Sequence, residues 1–186
     1  FVYNDQEPWA TPADGAGPSL LLVNPTSNPD PGLAASWTTS RNPGGSPGRA
    51  EPSGTDYAAW ASGYGLPGGP GSDDDLDGIS NYLEFLYGSR PDLASDAPGP
   101  RISVENLEID GVVDNYLVLT YQRNLNAVGA LTVEISSDLL TWTSDPDLTE
   151  FLTQVDNGDG TATVTLRLAD PVGPAGEPYF ARLRGN

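Results

Sequence analysis

The chain of 186 residues carries 26 acidic and 8 basic side chains, a net charge of −18, and 22 glycines and 18 prolines, a composition that favours turns and short strands over long helices. The charge disfavours nucleic acid and anionic lipid as partners and makes a cation the natural one. Without cysteine or histidine, and with arginine as the only basic residue, thiolate, imidazole and lysine Schiff-base chemistry are excluded, and a glycosidase-like carboxylate pair is the one enzyme class left to weigh.

No apolar run approaches the ~20 residues that span a bilayer, so no membrane insertion is expected. The chain opens at Phe1 in a strand-like "FVYND", without an initiator methionine, and reads as the tail of a longer protein. A second β signal, "SLLLVNP", lies between "ADGAGP" and "PTSNPDPG". Asp14 and Asp30 in those flanks read as turn residues. Two or three strands make a poor core, so this segment is expected to complete a sheet supplied from elsewhere.

Residues 51–100 change character. "TDYAAWASGYG" predicts a short helix with Thr55 as N-cap and Gly65 as its stop. "ISNYLEFLYGSRP" predicts a second, with Ile79, Leu83 and Leu86 on one face, Tyr82 and Phe85 beside it, and Gly88 and Pro91 ending it. From Arg101 onward the pattern is β. "YLVLTYQR", "ALTVEISS", "TATVTLRL" and "PYFARLR" are separated by the turn signals "IDGV" and "DNGDGT". Short strands at this spacing predict a small antiparallel β-sandwich of immunoglobulin or fibronectin III kind.

Between the two helices stands "SDDDLDGISNYLE" (72–84). It fills each constrained position of the calcium-loop template. Asp73, Asp75 and Asp77 are the alternating carboxylates, and Gly78 allows the sharp turn. Ile79 offers its carbonyl, Asn81 an oxygen directly or through water, and Glu84 closes the shell. An acidic cap on the second helix is the plainer alternative, but it explains neither Gly78 nor Glu84. Calcium suits this many protein oxygens better than magnesium. A single loop of millimolar affinity class fits a fixed joint in a calcium-rich exterior. "VDNGDGT" places Asp156 and Asp159 close together, which reads as hairpin chemistry with a second cation site as the alternative. The four tryptophans read as packing residues, with a sugar-stacking platform as the alternative.

"FVYNDQEPWATPADGAGPSLLLVNP", then "SW" and "NPGGSPG", resembles the C-terminal half of a bacterial lamin-tail domain, an immunoglobulin-like β-fold. Trp9, Asp14, Gly15, Gly17, Ser19, Leu20 and Leu22 fit that pattern, while Ala10 stands where proline is common and Ser46 where threonine is. "DGISNYLEFLYGSRPD" resembles EF-hand-like and dockerin-type loops, and "VEISSDLLTW" with "YFARLR" is similar to C-terminal β-sandwiches of large secreted or surface proteins of planctomycete and verrucomicrobial type. The resemblance implies accessory modules and an extracellular or cell-surface location.

The expected organisation is therefore mainly β: a lamin-tail-like part over 1–50, a helix-loop-helix calcium segment over 51–100 and a β-sandwich over 101–186. The expected function is a non-enzymatic, calcium-stabilised structural or interaction module. Its partners would be calcium and either upstream domains or neighbouring copies of itself. Two alternatives come from other classes: a filament subunit completed by strand donation between chains, and a carbohydrate-active or carbohydrate-binding module.

Overall fold

The computed structural model of the chain describes residues 8–9, 13, 18–43, 45, 54–94, 96, 99–173 and 179–186. They fall into two compact units, Phe1–Pro52 and Ser53–Asn186. The expected strand at "FVYND" and the turn at Asp14 lie outside the described residues.

In the first unit β1 (Pro18–Leu22) and β2 (Trp37–Pro43) form an antiparallel pair, with Leu20 opposite Thr39 and Leu22 opposite Trp37. The connection is polar and turn-rich, as "PTSNPDPG" requires. Asn24 and Asn28 take left-handed conformations on either side of a single 3-10 turn, a geometry asparagine tolerates better than most residues. Asp30 accepts the Gly32 amide at 2.8 Å, a turn role as expected. The buried Ser40 hydroxyl accepts the Ser19 amide across the pair at 2.8 Å.

The second unit holds α1 (Tyr57–Tyr64), α2 (Asn81–Tyr87), and β3 (Arg101–Ile109), β4 (Val112–Asn124), β5 (Leu131–Ser136), β6 (Thr149–Asp156), β7 (Thr161–Leu168) and β8 (Phe180–Gly185). All pairings between its strands are antiparallel, in a four-stranded sheet of order β3-β4-β7-β6 and a pair β5-β8. The turn signals act as read. Asp110 and Gly111 adopt positive φ of 52° and 80° in the β3–β4 hairpin, the backbone that a tight two-residue connection needs. In the β6–β7 hairpin, Asp156 accepts the Gly158 amide and Asp159 accepts both the amide and the hydroxyl of Thr161, so both carboxylates serve the turn.

The core joins sheets and helices. Leu117 and Leu168 of the larger sheet meet Ile135 of the smaller one, and Leu119 and Leu183 meet Tyr87 of α2. Phe85 and Leu86 pack on Ala127 with Tyr57 and Trp60 of α1 around them. Residues 53–100 and the strands that follow are thus one unit with a shared interior. In β4 the alternation expected from "YLVLTYQR" gives way to four consecutive buried residues, 116–119. Leu117 and Leu119 enter the inter-sheet core, while on the opposite face the Arg167 guanidinium covers the Tyr116 ring at 4.5 Å. Arg167 is itself buried, bonded to Glu150 and to the carbonyls of Leu168 and Ala169.

Two local details depart from the sequence reading or explain it. The N-cap of α1 is Asp56, not Thr55, because the Thr55 backbone is engaged with 126–128, leaving the Asp56 carboxylate to accept the Ala59 amide at 2.7 Å. Gly185 is glycine because α2 lies against β8: a Cβ there would stand 2.7 Å from Leu86 Cδ1 and 2.8 Å from Tyr82 Cδ1.

On the exposed face of the β5-β8 pair, Glu134 stands directly opposite Arg182 and accepts its Nε at 2.6 Å, with Arg184 at 3.4 Å. The Arg182 hydrogen bond, ahead of the neighbouring charges, holds the Glu134 carboxyl below its ordinary value of 4.5. A depressed carboxyl contributes stability above its unfolded value and loses it as pH falls through the folded one. Glu134→Gln should therefore lower the melting temperature at neutral pH, with the gap to wild type closing in acid below the carboxylate range. Parallel thermal melts across pH check this, and a gap that stays constant into acid would contradict it.

Candidate metal centre

The loop between the helices is built by its own side chains. Asp73 Oδ1 accepts the Asp77 amide at 3.2 Å and its Oδ2 the Gly78 amide at 2.9 Å. Asp75 Oδ1 accepts the Asp77 amide at 3.3 Å, and Asp77 Oδ1 accepts the Ile79 amide at 2.7 Å. Gly78 turns at a φ of 94°, a conformation that L side chains rarely adopt. These bonds draw the chain into a ring, and carboxylate oxygens of Asp73, Asp75 and Asp77 come within 4.8 Å of one another. The triad can hold a metal ion.

Bonding accounts for one oxygen each of Asp75 and Asp77. Their Oδ2 atoms are buried without a hydrogen-bond partner. The same is true of both oxygens of Glu84, a residue with 0 % exposure on α2. Burial, then the charges of Asp75, Asp77, Asp73 and Asp96, pushes the Glu84 carboxyl up to about 7. Two of these four oxygens belong to the aspartate ring and two to Glu84, and burying them without donors among repelling charges costs free energy that a cation, or a proton on Glu84, would relieve.

Other predicted site residues are placed as follows. Ile79 turns its side chain to the Tyr87, Leu119 and Leu183 cluster, as expected for a residue that would offer only its carbonyl. Asn81, buried at 0 % exposure, bonds within the loop region: its Oδ1 accepts the Asp74 amide at 3.3 Å, and its Nδ2 donates to Gly69 O at 3.2 Å and Asp74 Oδ2 at 3.1 Å. It ties the glycine-rich approach to the acidic loop and thereby holds the loop on α2. Asp74 was not nominated from the sequence. Its carboxylate also accepts the Gly68 amide at 3.3 Å, so it shapes the entry to the site. The signal that could have found it is the pair of glycines at 68 and 69, because a Cβ on Gly68 would stand 2.5 Å from Asp74 Oδ1.

No protein-family model, curated protein or solved structure matches the chain. Among the described residues, no helix is long and apolar enough to cross a membrane.

Proposed function

We propose that the chain is a non-enzymatic, calcium-stabilised structural module of a secreted or cell-surface bacterial protein. The observation that carries this reading is Glu84, fully buried with neither oxygen bonded, on the helix that leaves a ring of three aspartates. Asp73, Asp75, Asp77 and Glu84 with the Ile79 carbonyl would supply the oxygens, and calcium's adaptable shell suits them better than magnesium's rigid octahedron.

Because α2 packs between the sheets, an ion bound to Glu84 would fix the loop to the core of the whole second unit. That is a structural role rather than a sensor's opening. An affinity in the ~10⁻⁴ to 10⁻³ M class suits a calcium-rich exterior. The strand orders β3-β4-β7-β6 and β5-β8 also support an immunoglobulin-like reading. They correspond to the ABED sheet and the C and F strands of a constant-type domain. Ser19, Leu20 and Leu22 lie in β1, where the lamin-tail resemblance would have a strand. Trp60 packs on Phe85 and Tyr64, and Trp142 is covered by the Arg182 guanidinium at 4.1 Å, which favours packing roles over a sugar platform.

Thermal denaturation in calcium, magnesium and chelator tests the proposal. Calcium should raise the melting temperature, magnesium less so at equal concentration. Because a ligand that prefers the native state must stabilise it, equal melting in calcium and chelator would refute the structural role.

A further inference from the structure

The larger sheet of the second unit is bordered on one side by β3, nine residues that pair with β4 in an unbroken register. The tight connection through Asp110 and Gly111 makes Ile109 with Val112 a bonded pair. Antiparallel alternation then turns the amides and carbonyls of Ile102, Val104, Asn106 and Glu108 away from β4. The Asn115 carbonyl, which the same alternation aims away from β3, accepts the Val172 amide at 2.8 Å on the far side of β4. No strand takes the outward groups of β3 among the described residues.

A long, regular edge invites pairing, and the other edges suit it less. β6, at the opposite border of the sheet, breaks its register between Phe151 and Thr153, an irregularity that re-aims an edge. β5 and β8 have six residues each. Neither proline nor lysine interrupts 101–109, and Ile102 and Val104, opposite the buried Leu119 and Leu117, are themselves 46 % and 61 % exposed.

The order of residues on this edge complements itself. Setting β3 antiparallel to the β3 of a second copy, about a two-fold axis at Ser103, places Arg101 opposite Glu105 and Ile102 opposite Val104 on either side of the axis. Ile102 and Val104 are the outward-facing residues, so in this register they exchange backbone hydrogen bonds in both directions. An axis at Glu105 would instead set that carboxylate against its own copy, and one at Val104 would set Ile102 against Asn106. Pro100, which has no amide to offer, stands outside the run Arg101–Glu105. The Ser103 hydroxyl donates to Glu105 Oε1 at 2.9 Å, and Arg101 has no ion-pair partner among the described residues.

We propose that the chain forms a two-fold dimer through the outer edge of β3, joining two four-stranded sheets into one. The inference does not depend on the calcium reading. A net charge of −18 opposes the approach of two copies, but at ~0.15 M salt the Debye length of about 8 Å confines that repulsion to near groups. At this edge the directly opposed charges attract.

The test is sedimentation equilibrium of the whole chain in calcium at ~0.15 M salt, from ~10 μM to ~1 mM protein. A concentration-dependent monomer–dimer equilibrium is expected. Val104→Pro removes an outward amide that β4 does not use and should abolish the dimer. Arg101→Glu and Glu105→Arg should each weaken it several-fold, because each sets like charges opposite one another. An equimolar mixture of these two variants should regain the association, since opposite charges then face each other again. Both positions are exposed, so the charge variants decide the matter even where the proline variant fails to fold. Melting curves in dilute solution that match wild type confirm that they are folded.

A monomer at every concentration, a dimer indifferent to the charge variants, or a mixture that stays dissociated would each overturn the proposal. A chain that melts higher in calcium yet remains monomeric keeps the calcium reading and loses this one.

Discussion

Glu84→Gln is expected to stabilise the protein in chelator and to lose that advantage over wild type in calcium. In chelator the substitution removes a charge that burial and three neighbouring aspartates disfavour, while preserving the side chain's size. Relief of such a group is worth about 1–3 kcal/mol, a rise of a few degrees in melting temperature for a unit of this size. In calcium the wild type gains what the variant cannot. At ~10 mM ion, a site with a dissociation constant of ~10⁻⁴ to ~10⁻³ M adds about 1.4 to 2.7 kcal/mol. The variant's advantage over wild type therefore shrinks by about 1.4 to 2.7 kcal/mol between the two buffers. A structural carboxylate without a ligand would leave the same difference in both, and that result would remove the ion from the account. Asp73→Asn is a useful companion. Its oxygens also accept the Asp77 and Gly78 amides, so it should weaken calcium binding without the gain in chelator.

Phe85→Ala should cost about 3–5 kcal/mol, and the loss should be felt in the strands as much as in the helix. Phe85 has no exposed surface, and its ring meets Tyr57 edge-on at 5.9 Å, Trp60 at 5.4 Å and Tyr82 at 6.0 Å. Its carbonyl accepts Asn124 Nδ2 of β4 at 3.0 Å, and that of Tyr87 accepts Gln122 Nε2 at 3.0 Å, so α2 is bolted to β4 by polar as well as apolar contacts. Removing the ring leaves a cavity that surrounding aromatics fill only in part. Amide hydrogen exchange separates the possibilities. Amides of α2 and of β4 near Leu119 should lose protection together. If α2 were to exchange faster while β4 kept its wild-type protection, the helix pair would be a separate cooperative unit and the shared core would not couple them.

Much of the local structure was legible because its causes are local. The two-residue turn at Asp110 and Gly111 and the left-handed stops of the helices at Gly65 and Gly88 depend on backbone sterics within a few residues. The Asp73, Asp75 and Asp77 ring belongs to the same class, since its carboxylates bond amides two to five residues ahead. Other features depend on contacts that no window of sequence contains. Tyr87, which the helical spacing did not single out, is at 3 % exposure a centre of the core, because Leu119 of β4 and Leu183 of β8 both close on it. Asn81, named from its spacing as an oxygen donor, also ties Gly69 and Asp74 to α2 through its Nδ2.

The amino-acid order alone determined that the chain is mainly antiparallel β with two short helices, and that an acidic loop between them has the residue types to bind a hard cation. These follow from turn chemistry, periodicity and charge, all set by near neighbours. Only the tertiary structure decided that the described helices and strands of the second unit share one interior, and that Glu84 is sealed from water without a hydrogen bond. Burial and strand order arise from segments far apart in the chain, such as Tyr82 donating to the Asn186 carbonyl at 2.8 Å, and their energetics appear only when those segments meet.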